Sequence, residues 1–298
     1  MKNKMGLIGN FKTDWIRYSD YELKENILGD LYIVPTETAY FTMYNPFDVA
    51  DELVFDLIQL GDLVLKEKEN IEFIKNRVII FVRKYGLLGL ISASVYNRNI
   101  IGEEKVLLID HNVITKDKIL DSKEYLKWFL PFAEEEDVYI REYKRDITVV
   151  KAEDSPKFYG KRPLVLDVVF SRFYAEKIDW LLAFAKNIVS HFNEVLIYRN
   201  NYLTESVNIM AGKFKAEKIG LTINMLDKAM IAWEFDSLKT AIETLYAFAI
   251  TNEQTILSRC EYCKKVYVAK SEREKYCSPS CRNCSNVIKS RNKKKVEG

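Results

Sequence analysis

Cys260 and Cys263 have two residues between them, Cys277 follows after thirteen, and Cys281 after three more. Two close thiol pairs joined by a hairpin length of chain match a four-thiolate tetrahedral site. Each pair spans adjacent ligand positions, and the chain between must turn back. The spacing predicts one structural Zn2+ held by these four residues. Cys284, three residues beyond Cys281, leaves a second pairing open, with Cys281 and Cys284 replacing Cys277 and Cys281. All five cysteines of the 298-residue chain lie from Cys260 onward. Such clustering favours a local metal-binding role over scattered core thiols.

The elements that must position these thiols are legible nearby. Residues 266–268 read as a strand and 273–276 as its return, with the rings of Tyr267 and Tyr276 expected over the metal. Ser278-Pro279 reads as an N-cap and first helical turn, whose free amides and dipole would stabilise thiolates at Cys277 and Cys281. A knuckle, a hairpin and a helix form a treble-clef-like finger. Its helix then carries Arg282, Lys289, Arg291, Lys293, Lys294 and Lys295, candidates for contacting nucleic-acid phosphates.

Charge separates this tail from the rest. From Cys260 to Gly298 there are 11 Lys+Arg against 4 Asp+Glu, whereas the 259 preceding residues hold 34 against 39. The overall +2 describes neither part. Four thiolates and one zinc ion add −2, so a metallated finger keeps a basic excess of about +5.

Residues 221–295 present a hairpin, a helix, a cysteine pair, an aromatic, then Tyr276-Cys277-Ser278-Pro279-Ser280-Cys281-Arg282-Asn283 and a basic helix. This stretch resembles the C-terminal part of bacterial CGNR zinc-finger proteins, regarded as transcriptional regulators with a DNA-binding finger behind a larger, often ABATE-type, domain. The resemblance implies Cys260, Cys263, Cys277 and Cys281 as ligands and DNA, ahead of RNA, as partner. The family's Cys-Gly-Asn-Arg reads Cys281-Arg282-Asn283-Cys284 here. Tyr85-Gly86-Leu87-Leu88-Gly89 bears a faint likeness to an N-terminal segment of the same proteins.

Upstream, 48% apolar and 13% aromatic residues supply a large core, and 30% charge is ordinary, which excludes global disorder. Asn45-Pro46 opens a helix expected over 46–65, a second is expected over 70–85 with Gly86 to stop it, and a long one over 174–198. Residues 221–225 and 230–235 read as a hairpin, and Ser237 caps a helix to about residue 251. Strands are expected at 31–34, 39–44, 106–109, 138–140 and 147–150, and a short helix over 121–128 ended by Pro131. The fold class is α+β: a mainly helical larger region with short strands and hairpins, plus the finger. The units are 1–157, 158–258 and 259–298, the first two open to being one domain; residues 153–157 and 160–163 mark their boundary.

No catalytic constellation emerges. His111 and His191 read as structural, residues 134–137 as a solvated acidic loop, and no glycine-rich phosphate loop is present. An enzyme is therefore not expected. The N-terminal region is expected to sense a small-molecule or protein ligand or to form a homodimer. No apolar stretch approaches the ~20 residues a membrane span needs, so a cytoplasmic location without membrane partners is expected. The competing function is a zinc-stapled protein-interaction module, docking a partner or its own body through an apolar face at Tyr262, Tyr267, Val287 and Ile288.

Overall fold

Asn45 and Pro46 set the first helix. The Asn45 side chain accepts the Phe47 amide at 3.0 Å, a 3-10 turn spans Pro46–Val49, and α1 continues over Ala50–Lys66. Proline's fixed φ and missing N–H suit that first turn. Asn70 caps α2 (Ile71–Tyr85), which Gly86 ends at φ 84. That conformation favours glycine, and a Cβ there would also fall 2.2 Å from the Ile16 carbonyl oxygen. The remaining helices are α3 (Ile178–Asn201), α4 (Leu238–Thr251, capped by Ser237) and α5 (Pro279–Val296). The computed structural model describes residues 10–11, 14–66, 70–90, 93–96, 105–108, 118–121, 130–132, 138–143, 146–151, 172–201, 219–225, 229–235, 237–252, 256–271 and 273–296.

The strands are β1 (Asn10–Phe11), β2 (Trp15–Tyr18), β3 (Tyr21–Glu25), β4 (Leu31–Pro35), β5 (Phe41–Tyr44), β6 (Ala93–Tyr96), β7 (Lys105–Leu108), β8 (Lys118–Asp121), β9 (Val138–Tyr143), β10 (Asp146–Lys151), β11 (Glu176–Lys177), β12 (Gly220–Met225), β13 (Ala229–Glu234), β14 (Ile256–Arg259) and β15 (Val266–Ala269). They make six small sheets, ordered β1-β13-β12, β2-β5, β11-β4-β3, β6-β7-β8, β9-β10 and β14-β15. Only the β1–β13 pair is parallel among the described strands. The chain is thus a mixture of helix and sheet; β4, β5, β7, β9, β10, β12, β13 and β15 lie close to expected strands, whereas β1, β2, β3, β6, β8, β11 and β14 answer to none. The long helix is a correction. It starts at Ile178 rather than residue 174, because Glu176 and Lys177 are extended and pair with Ile33 and Tyr32 of β4. The helix expected over 121–128, His111, the acidic run 134–137 and the boundary at 153–163 lie largely outside the described residues.

The core forms around α1. Leu53, Val54, Leu57 and Ile58 are fully buried, and α1 meets α2, α3 and α4. At Gly61 a Cβ would fall 2.3 Å from the Ala185 carbonyl oxygen of α3, so glycine lets the two backbones come close there. Beyond α2, the segment from Gly86 to Leu90 is threaded through this core, with Leu88 and Leu90 fully buried. A buried backbone without a ladder must find partners elsewhere. The Glu176 carboxylate accepts the Leu88 and Leu90 amides at 3.0 and 2.9 Å and the Tyr174 hydroxyl at 2.6 Å. The Leu87 carbonyl accepts Trp15 Nε1 at 2.8 Å, and the Leu88 carbonyl accepts the Lys239 amide at 2.8 Å. Burial pushes the Glu176 carboxyl above its ordinary range, against the pull of these donors.

Removing that carboxylate strands several buried amides at once. Glu176→Ala is expected to lose about 3 kcal/mol or more of stability and Tyr174→Phe about 1 kcal/mol, read from urea-denaturation midpoints of the full chain.

Candidate metal centre

The centre is built at the end of a hairpin. β14 pairs with β15 in register Ile256 to Ala269 through Arg259 to Val266, and the turn between them carries Cys260 and Cys263. The Cys260 amide donates to the Lys265 carbonyl at 2.9 Å and the Lys264 amide to the Cys260 carbonyl at 3.0 Å, closing a tight knuckle. This differs from the expected hairpin, in which 266–268 would pair with 273–276. Residues 273–276 form no strand. The more β-prone Ile256-Leu257 takes the partner position instead, while the Glu274 carboxylate captures the Lys270 amide at 2.7 Å and bends the chain away from the ladder. The second thiol pair straddles the start of α5. Cys277 precedes Pro279, Cys281 sits in the first turn, and the Ser278 hydroxyl accepts the Cys281 amide at 3.2 Å, which is the cap predicted from sequence.

Cys260, Cys263, Cys277 and Cys281 come together with all four sulfurs within 4.8 Å of one another, an arrangement that can hold one metal ion. Cys263 and Cys277 are 3.6 Å apart at sulfur, Cys277 and Cys281 3.5 Å. Cys284 is exposed, stands outside this group and contacts the Tyr262 hydroxyl. Burial raises the Cys260 thiol, but amides of Cys277, Cys263 and Tyr262 directed at its sulfur outweigh burial and bring it down to about 6. Cys277 moves the other way, to about 12, through burial and the neighbouring sulfurs of Cys281, Cys263 and Cys260. Four thiols this close cannot all ionise without a cation among them.

The aromatic residues hold the frame through their hydroxyls. Tyr267 donates to the Glu274 carbonyl at 2.5 Å. Tyr276 joins Ser285 at 3.0 Å and Glu261 at 3.3 Å and accepts from Lys289 at 3.1 Å. Glu261 also pairs with Lys275 at 3.2 Å and Lys289 at 3.8 Å.

Arg259, directly before the first cysteine, fixes the centre to the helical body. It pairs with Asp62 of α1, donates to Asn193 of α3 at 3.1 Å and to the Lys264 carbonyl at 3.1 Å, and lies 5.5 Å over the Phe192 ring. Arg199 of α3 adds bonds to the Leu257 carbonyl at 3.0 Å and the Ile250 carbonyl at 2.5 Å. Sequence reasoning did not single out Arg259, Arg199, Asp62 or Asn193, whose partners lie far away along the chain. His191 in α3 meets the Tyr246 hydroxyl at 2.7 Å across to α4, a packing role.

Beyond Cys281, α5 meets solvent on nearly every side. From residue 282 to 292 only Ser285 is buried, and Arg282, Lys289 and Arg291 are exposed. Lys293, Lys294 and Lys295 continue the same helix; their side chains lie outside the described residues. By helical spacing Arg282, Asn286, Lys289 and Lys293 share one flank, and Cys284, Ile288, Arg291 and Lys295 the other. The apolar face expected on the finger is present in part: Tyr262, Val287 and Ile288 are 40%, 49% and 46% exposed, whereas Tyr267 is half-buried. No helix among the described residues is long and apolar enough to cross a membrane. No protein-family model, curated protein or solved structure matches this chain.

The full chain is expected to bind one metal ion per molecule by elemental analysis, and Cys260→Ser to lose it. Retention against a chelator is expected to weaken as pH falls, because the ligands must be thiolates. Arg259→Ala leaves a largely buried Asp62 without its cation and is expected to cost about 3 kcal/mol in urea denaturation.

Proposed function

We propose that this chain is a zinc-stapled nucleic-acid-binding protein, favouring DNA over RNA and acting as a transcriptional regulator. Its larger region would sense a ligand or dimerise. Four thiolates suit Zn2+, and knuckle, hairpin and helix assemble around it in a treble-clef-like way. The observation that carries the reading is α5. A helix that starts at the metal centre, buries one described side chain beyond its first turn and carries six cations is positioned for a polyanion outside the chain. An α-helix fits the DNA major groove, where arginine and asparagine read guanine and adenine edges. Arg282 and Asn286 supply those types on the flank shared with Lys289 and Lys293. The resemblance to CGNR finger proteins supports the same reading. Lys289 is partly committed to Glu261 and Tyr276, which makes Arg282 and Arg291 the stronger contributors.

A second reading draws on the exposure of Tyr262, Val287 and Ile288. A protein partner docking there would bind with little salt dependence.

Salt separates the two readings. Fluorescence anisotropy of metal-loaded full-length protein with labelled duplex DNA is expected to give a log–log salt slope of about −0.9 per phosphate contacted. The Arg282→Ala, Lys289→Ala, Arg291→Ala triple variant is expected to lose most of the affinity, with Lys289→Ala alone having the smallest effect. Undiminished binding by the triple variant would overturn the assignment to α5.

A further inference from the structure

Between the knuckle and the helical body runs an open groove of about 240 Å³. α1 lines it with Leu63 and Lys66, α2 with Phe73 and Arg77, and the knuckle with Lys264 and Lys265. The acid on its wall, Asp62, is already paired with Arg259. Lys66, Lys264 and Lys265 are exposed, and among the described residues none of the four cations forms an ion pair. Four such cations around a concave surface give it a positive excess suited to an anion.

Lys264 gives an independent pointer. It is the one non-glycine residue with positive φ, 62°, among the described residues. Its amide is tied to the Cys260 carbonyl and its carbonyl to Arg259, so hydrogen bonds on both sides hold a conformation that glycine would adopt without strain. Backbone geometry alone favours glycine here; lysine instead places a cation on the groove wall. Phe73 is the third observation. Its ring is 42% exposed beside these cations, and an aromatic platform next to a basic track is how single-stranded nucleic acid is held.

We infer that the groove takes a single nucleic-acid strand, with a phosphate between Lys264 and Lys265 on one wall and Lys66 and Arg77 on the other, and a base against Phe73. The inference rests on the nucleic-acid reading of α5. A space of this volume admits a nucleotide unit and not a duplex. Cys263 lines the groove and also belongs to the thiol group that includes Cys281 of α5, so groove and helix flank one metal centre and a continuous strand reaches both.

Lys264→Gly is the cleanest variant, since it removes the cation while relieving the backbone; Phe73→Ala alters an exposed ring. Both are expected to keep the wild-type far-UV circular dichroism and metal content. Anisotropy titrations of full-length, metal-loaded protein with labelled single-stranded and duplex DNA, across a salt series, supply the test. For single strands, Lys264→Gly should lower the slope magnitude by about 0.7 and Phe73→Ala should weaken binding roughly tenfold with the slope unchanged. Duplex binding should be unaffected by either. Wild-type single-strand affinity in both variants, alongside loss in Arg282→Ala, Arg291→Ala, would overturn the groove and leave the α5 reading standing. A wild-type protein that binds neither oligonucleotide would remove both.

Discussion

A guanidinium group drawn out of water needs acceptors for its donors and a counter-charge, and Arg259 finds them on three different elements. Asp62 comes from α1, Asn193 from α3, and the Lys264 carbonyl from the far side of the knuckle. Both members of the ion pair are largely buried, at 16% and 14% side-chain exposure. Such a pair adds little net stability over a well-packed apolar contact, but breaking it is costly, so its effect is to specify one arrangement. Here that arrangement is the orientation of the metal centre on the body. The residue that follows is Cys260, and the carbonyl it bonds belongs to the residue after Cys263. With the thiol group, the Arg199 bonds and the Tyr276 contacts, this side chain contributes to the direction in which α5 leaves the molecule.

The body meets the same problem of burying polar groups, and meets it with a carboxylate. Segment 86–90 passes through the interior without a neighbouring strand, and Glu176, Trp15 and the first turn of α4 supply its partners. α2 ends just upstream, where Arg17 donates to the Lys84 carbonyl at 2.8 Å and Tyr44 to the Tyr85 carbonyl at 2.7 Å. Both are helix C-terminal carbonyls with no partner inside the helix. The N-terminal strands, the end of α2 and the segment before α3 are thereby tied into one unit.

Local signals carried far in the sequence. Caps at Asn45, Ser237 and Ser278, the stop at Gly86 and the apolar periodicity of α1, α2 and α4 are written in contiguous residues, and those elements appear within a few residues of their expected bounds. The cysteine spacing was legible for the same reason, because a knuckle is a local structure. What was not legible depends on long-range pairing. Glu176 reads as the opening of a helix until β4 is seen beside it. Residues 266–268 were expected to pair with 273–276, and only the fold shows Ile256–Arg259 in that position, with the Lys270 amide captured by Glu274. Arg259 and Asp62 are 197 positions apart. Even Lys289, correctly placed on the basic helix, acquires its ties to Glu261 and Tyr276 only through the fold of the finger.

The exposure of α5 has a thermodynamic side. Helices in globular proteins owe most of their stability to packing an apolar face, and α5 has almost none to pack. Its first turn is held by the Ser278 cap and by Cys281, while farther along like charges recur at Lys289 and Lys293 and at Arg291 and Lys295, four residues apart and mutually repelling. Helical order should therefore decay from the metal centre toward the C-terminus. A polyanion lying along it would cancel the repulsion that limits its length. A metal held by the four thiols would then act as the nucleus of a helix–coil transition, and a bound polyanion would favour its propagation.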